Sequence, residues 1–373
     1  MIEKTLKRIF SVNAIMLASF LTMLLSFTVL SCENGDNGAL RVGIIYDYAG
    51  KGDGSFNDSA YEGIKRAQEE LGVAISEETT DGTAADREKL IQSLAENNDL
   101  VIGVGFSFEN SIKKAAVDNP DTNFAGVDIP QGENPPANFA SLLFNEAQGS
   151  FLVGVAAGLK TETDRIGFIG GVCGTPHKLI EKFEAGFVAG AKAVDENIKI
   201  ETEYLSQYSD PQNPDQPPDS TGFNNPGKAK ESARWMFEAD FDVVFHAAGK
   251  SGKGLFEAAK EFSETEGTKV WTIGVDSDQY ETADDSVREY ILTSMLKKVD
   301  VAVYNIIEAQ KNSEFSGGVV DNNLSNDGVG YSTSGGFVDD IKSELEKYKA
   351  RVINGEIVVP TVSEKGCETL QNY

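Results

Sequence analysis

Two apolar runs in this chain end alike, and that repetition restricts the fold more than any other feature. Phe124-Ala125-Gly126-Val127-Asp128 and Thr272-Ile273-Gly274-Val275-Asp276 each close on a glycine, a valine and an aspartate. Each run also belongs to a series in which strand-like and helix-like segments alternate. In the first series, strands are predicted at 40–47, 73–77, 99–104, 122–128 and 138–144, with helices over 58–71, 85–97 and 109–118. In the second, strands fall near 165–170, 198–205, 242–248 and 268–275, and helices near 146–160, 178–195, 227–239 and 252–264. Such alternation predicts an α/β protein with two doubly wound parallel-sheet lobes, each covered by helices on both faces. Ligands of open α/β sheets sit beyond the carboxyl ends of the strands. Two lobes facing each other there bring Asp128 and Asp276 to one cleft.

The loop after the first strand is the densest candidate for ligand contact. Gly50, Gly52 and Gly54 let the backbone pass close to a bound molecule, and Phe56 offers an apolar plate at the same place. Ala60, Ile64, Ala67 and Leu71 then fall at helical spacing, with Asn57, Asp58 or Ser59 able to cap the helix and free N–H donors at its start.

The segment Gly54-Ser55-Phe56-Asn57-Asp58-Ser59-Ala60-Tyr61-Glu62-Gly63 resembles a motif of the basic membrane protein family, whose best understood members are purine nucleoside receptor lipoproteins of ABC importers. Further matches are Phe124 to Asp128, Gly170-Gly171, Phe183-Glu184-Ala185-Gly186-Phe187 and Phe245-His246-Ala247-Ala248-Gly249. Ile273-Gly274-Val275-Asp276-Ser277-Asp278 and Thr293-Ser294-Met295-Leu296-Lys297-Lys298 complete a series covering nearly all of the chain after residue 40. The resemblance implies a type I periplasmic binding protein, with the two lobes joined by a three-crossover hinge. On that analogy the first lobe comprises 40–144 and 292–316, and the second 145–291 and 317–373. The crossings then lie near 145, 291–294 and 315–318.

The resemblance also implies site roles. Phe56 becomes one plate for a purine base, Asn57 or Asp58 contacts its edge, and Asp47 adds a second edge contact. Asp128 and Asp276 match positions that bind ribose hydroxyls, paired with Lys298 or its neighbour Lys297. The opposing plate comes from Phe245 or His246, whichever points inward, since adjacent strand residues face opposite sides. Gly249 allows close backbone approach. Apart from the resemblance, Phe106 follows Gly105 in another loop at the same sheet edge and is a further candidate wall. The expected ligand is an uncharged nucleoside such as inosine, guanosine or adenosine, bound without a cofactor by a monomer that serves an ABC permease.

The start of the chain suggests export. Lys4, Lys7 and Arg8 precede an apolar segment from about Ile9 to Leu30, the layout of a signal peptide over 1–31. Val29-Leu30-Ser31-Cys32 resembles a lipobox, which implies a lipid such as palmitate on Cys32 and anchoring to a membrane facing the periplasm or cell exterior. Residues 32–39 then form a polar tether. The 341 residues after Cys32 exceed what one core usually holds. The leader carries a net charge of +2 from Glu3, Lys4, Lys7 and Arg8, so the remainder carries −28 against −26 for the whole chain. That surface repels nucleic acid and anionic headgroups. Cys173 and Cys367 remain as a candidate disulfide or as two buried thiols. The Pro- and Asp-rich stretch 209–222 reads as a surface insertion, just before Phe223-Asn224-Asn225-Pro226.

Catalytic motifs are missing or broken. His177 and His246 are the two histidines and have no acidic or thiol partners at metal-ligand spacing. Ala248-Gly249-Lys250-Ser251 ends like a P-loop, but Val244 stands where the first glycine belongs. Gly103-Val104-Gly105 begins a dinucleotide fingerprint that Phe108 breaks. As the resemblance implies, the chain reads as a binding protein rather than an enzyme, and its aromatic and carboxylate candidates suit reversible binding of a small polar aromatic molecule. The alternatives are a receptor for a sugar or signalling molecule, a nucleoside-processing enzyme, or a surface adhesin.

Overall fold

The computed structural model describes residues 38–208 and 219–363. The leader, Cys32, Cys367 and most of the 209–222 insertion lie outside the described residues. The first series supplies β1 (Arg41–Tyr46), β2 (Ala74–Thr79), β3 (Leu100–Val104), β4 (Asn123–Val127) and β5 (Phe139–Phe144). Between them run α1 (Phe56–Leu71), α2 (Ala84–Asn97) and α3 (Glu109–Asp118). The second supplies β6 (Arg165–Cys173), β7 (Lys199–Gln207), β8 (Val243–Ala247), β9 (Trp271–Asp276) and β10 (Ile291–Lys297). Its helices are α4 (Glu146–Lys160), α5 (Leu179–Val194), α6 (Pro226–Glu238), α7 (Gly252–Glu266) and the single turn α8 (Gln279–Thr282). The chain finishes with α9 (Val299–Lys311), β11 (Gly318–Asn322), β12 (Val329–Tyr331) and α10 (Lys342–Ile353).

These strands form two six-stranded sheets, in the orders β11-β5-β4-β3-β1-β2 and β12-β10-β9-β8-β6-β7. The pairings are parallel, except that β12 runs antiparallel to β10. Central strands such as β3 and β8 are buried along their whole length. Their continuous apolar runs follow from having helices on both faces. In the first lobe Ile45, Leu94, Phe108, Ile112, Phe124 and Phe139 share one core. In the second, Met236, Phe237, Val244, Leu255 and Phe256 share another. Helices α4 and α5 lie so close that a Cβ at Gly154 would collide with the Phe187 carbonyl, and one at Gly190 with that of Phe151. Among the described residues no helix is long and apolar enough to cross a membrane.

The architecture matches the expected pair of doubly wound sheets, but two boundaries move. Strand β10 pairs with β9 in the second sheet, so the return crossing lies at 297–299 rather than 291–294. Helix α9, unassigned from sequence, then packs on α1, where Asp300 N donates to Ser59 Oγ at 3.2 Å and Arg66 covers the Tyr304 ring at 3.8 Å. Strand β11, expected to finish the second lobe, instead pairs with β5 in the first, and the third crossing falls at 322–324 rather than 315–318. The first crossing lies at 144–146, between β5 and α4.

Candidate functional site

The two sheets face each other with the carboxyl ends of their strands, and a cavity of about 320 Å³ lies between them. The lobes meet around it through the glycine-rich loop. Ser55 Oγ donates to Asp276 Oδ2 at 2.6 Å, and Ser277 Oγ donates to the Ser55 carbonyl at 2.9 Å. Gln279 Nε2 and Thr282 Oγ1 both donate to the Gly54 carbonyl, at 3.0 and 3.1 Å, and Lys253 Nζ reaches that of Gly52 at 2.8 Å. Farther along the mouth, His177 Nε2 lies 3.0 Å from Glu109 Oε2. These contacts describe a closed cleft.

The loop owes its shape to Asp53. Its carboxylate accepts from the backbone N–H groups of Ser55, Asn57 and Asp58, at 2.9, 2.9 and 3.1 Å, and so caps α1. Capping was expected from Asn57, Asp58 or Ser59. Helix α1 starts at Phe56, too early for those side chains to serve its first N–H groups.

One end of the cavity is ionic. Asp128 and Asp276 both hold left-handed backbone, with φ of 60° and 62°. Aspartate tolerates this better than most side chains, and the strain marks both strand ends as special. Lys297, the last residue of β10, is paired with Asp128 at 2.7 Å and with Glu146 at 3.1 Å, all three side chains 3% exposed or less. Burial alone would depress the Lys297 ammonium, but Asp128, Glu146 and Asp276 more than offset it and hold its pKa above the ordinary lysine value. Burial raises Glu146 against the pull of Lys297. Asp276 is pushed up to about 7, chiefly by burial, with Lys297 and Ser55 pulling the other way.

The middle of the cavity is aromatic. Phe56 comes from the first lobe, Phe183 and Phe223 from the second, and Phe106 lies 6.4 Å from Phe223, ring centre to ring centre. Gly105 keeps φ of 111°, and a Cβ there would stand 3.6 Å from the Phe56 ring and 3.7 Å from Asp47 Oδ2. Gly249 likewise lines the cavity beside Phe223. Asn57 Nδ2 donates to Asp47 Oδ1 at 2.9 Å. Burial pushes Asp47 up to about 6, moderated by that bond. Asn57 Oδ1 and Asp128 Oδ1 are buried without a protein partner. Unpaired acceptors in a closed site suit a ligand that donates hydrogen bonds.

Asp47, Phe56, Asn57, Phe106, Asp128, Gly249 and Asp276 thus share the cavity, whereas four other candidates do not. Asp58 turns back to accept from the N–H groups of Gly52 and Gly54, at 2.7 and 2.6 Å. Phe245 is fully buried within the second lobe, 5.2 Å from Phe187 and 5.6 Å from Phe168. His246 faces the other side of the sheet, pressed on Gly252, with Nε2 2.9 Å from Gln279 Oε1. Burial lowers its pKa to about 4. Both residues lie inside β8, whose faces are covered by helices, so neither reaches the space beyond the strand end. Lys298 lies off the cavity, and Lys297 is the ammonium inside it.

Sequence reasoning missed the wall residues Phe183 and Phe223, the capping Asp53, and Glu146. Phe183 shares a helix face with Leu179 and Ile180, a spacing that reads as ordinary core until the helix is placed at a cleft. The helix-starting Asn225-Pro226 after Phe223 was the available signal for the opposite wall.

Comparison with known proteins agrees with this architecture. The pattern of the Bmp family, described as ABC transporter substrate-binding protein PnrA-like, matches residues 41–216 and 218–363. An ABC transporter nucleoside-binding protein BmpA of Lactococcus lactis is 33% identical over 95% of this chain and 99% of its own. Basic membrane protein A of Borreliella burgdorferi is 31% identical over 95% of this chain and 98% of its own. A crystal structure of an ABC transporter solute-binding protein from Aeropyrum pernix superposes with a TM-score of 0.72 at 26% identity, covering 86% of this chain and 94% of that one. The chain belongs to the Bmp family of ABC transporter substrate-binding proteins, a family of binding proteins rather than enzymes.

Proposed function

We propose that this protein is a lipid-anchored receptor whose cleft captures an uncharged nucleoside, preferably a purine nucleoside, and presents it to an ABC permease. One observation carries the reading. The cavity joins aromatic walls from both lobes to an ionic end where Asp128 and Asp276 flank Lys297. A base offers flat faces to the walls, each stacked plate being worth about 1–3 kcal/mol. Ribose hydroxyls donate to carboxylates, in charge-assisted bonds steadied by the ammonium. The nucleoside-binding relative from Lactococcus lactis supports the same ligand class. Carboxylates outnumber cations at the buried end, which disfavours a phosphorylated ligand.

Closure hides the ligand and offers the permease a distinct shape to recognise. Attachment through Cys32 holds the receptor, as a monomer, on the outer side of a membrane. Loss of radiolabelled palmitate incorporation in Cys32→Ala tests the anchor. The ligand is tested by native mass spectrometry of the purified soluble domain, identification of any released molecule, and calorimetric titration with a nucleoside panel. Tight uptake of a purine nucleoside, abolished in Asp276→Ala, is the expected result. A protein that ignores every nucleoside and binds a sugar overturns the ligand assignment.

A further inference from the structure

The strand order gives the cavity a direction. Along the carboxyl edge of the first sheet the order β4, β3, β1, β2 places Asp128, Phe106, Asp47 and then Arg87, on the helix after β2, in succession. Neighbouring strands lie about 4.8 Å apart, so the run from β4 to β2 spans roughly 14 Å. The second sheet follows the same order, from Lys297 on β10, through Asp276 and Gly249, to the segment 219–221 beyond β7. A nucleoside with its hydroxyls at the Asp128–Lys297 end therefore carries its base toward β1 and β2.

At that far end two groups of opposite sign follow neighbouring strands, Asp47 in the loop after β1 and Arg87 on α2. The Arg87 guanidinium, half-buried, donates to the Gly82 carbonyl at 2.6 Å and has no other acceptor among the described residues, so the rest of its donor fork is uncommitted. Of the other charged groups at this end, Asp81 is exposed, so solvent screens its attraction, and Asp219, which also lines the cavity, accepts from the Thr221 N–H at 2.8 Å.

Building on the nucleoside reading, we propose that Asp47 and Arg87 together select 6-oxopurine nucleosides, inosine and guanosine, over adenosine, with Arg87 the specificity-determining residue. A 6-oxopurine presents an N1–H donor beside the O6 acceptor, and the carboxylate and guanidinium complement them in that order. Adenine reverses both groups, setting the N1 lone pair toward a carboxylate and the amino hydrogens toward a cation. Arginine makes its commonest specific base contact with the O6 and N7 atoms of guanine for the same reason.

The test is calorimetric titration of inosine, guanosine and adenosine, at neutral pH, into the wild-type protein and Arg87→Met, with melting temperature as the check on folding. The inference expects the wild type to bind inosine and guanosine at least tenfold more tightly than adenosine, and that ratio to collapse toward one in Arg87→Met. Equal affinities in the wild type, or a ratio unchanged by the substitution, overturn this inference alone. A wild-type protein that binds no nucleoside overturns the receptor reading along with it.

Discussion

Lys297 and Lys298 are adjacent, yet their environments differ in almost every respect. Lys297 is enclosed with Asp128 and Glu146, while Lys298 is half-buried at the start of α9. Removing one partner of a buried ion pair leaves uncompensated charge and costs about 3–5 kcal/mol. Urea unfolding should therefore show a loss of that size for Lys297→Met and a change within about 0.5 kcal/mol for Lys298→Met. A second prediction concerns pH. Asp276 titrates near an ordinary value of about 4 when unfolded and at about 7 when folded. Between those values the folded state holds a proton that the unfolded state lacks, so this group's stabilising contribution is full below pH 4 and falls away as pH rises through 7. His246, lowered from 6.5 to about 4, acts with the opposite sign and is common to both proteins in a comparison. Asp276→Asn should gain melting temperature relative to the wild type as pH climbs from 4 to 7. A difference that stays flat across this range would count against the buried, proton-holding carboxylate. The strand-end aspartates were readable because each closes an apolar run. The choice between Phe245 and His246 was not readable, because alternation along a strand presumes that one face is the cleft. Here both faces meet helices and the cleft lies past the end.

At the scale of elements, the glycine-rich loop acts as a clasp. Its backbone carbonyls at Gly52, Gly54 and Ser55 all accept from side chains of the other lobe, and Ser55 Oγ returns a bond to Asp276. Ser55→Ala removes the one side-chain donor that runs from the first lobe to the second in this clasp. A net hydrogen bond to a charged group contributes about 1.5–3 kcal/mol. The variant should bind ligand about tenfold more weakly and, without ligand, show a larger radius of gyration by small-angle X-ray scattering. An unchanged radius and affinity would remove Ser55 from closure. The loop announced itself by composition, but its partners are more than 200 positions away in the chain and have no local signature. The misplaced crossings have a similar cause. Val319 and Val320, assigned to the second lobe with 317–373, could extend either sheet, and only pairing with Ser141 and Leu142 decides it.

Over the whole molecule, negative charge acts at two ranges. The surface excess implied by a formal −26 is screened beyond about 10 Å at ordinary salt. The buried carboxylates around Lys297 are screened far less. A nucleoside 5′-monophosphate should therefore bind roughly 100-fold more weakly than its nucleoside, and the gap should persist at high salt. A gap that vanishes with added salt would assign the discrimination to the surface instead. Two-lobe architecture was visible in the doubled strand–helix series, since most strands of each series feed a helix of ordinary length, β4 and β9 being the exceptions. Which faces met across the cleft depended on the hinge, which no short stretch of sequence encodes.

The clasp carries a consequence for timing. Much of what holds the lobes together is backbone of the protein itself, bonded to residues that do not depend on the cargo. A molecule shut inside leaves only when that seam parts, so its dwell time is set largely by the lid and only secondarily by its own contacts. Good and poor cargoes would then differ most in how often they are trapped, and the membrane partner that pries the seam apart would control the moment of delivery for all of them.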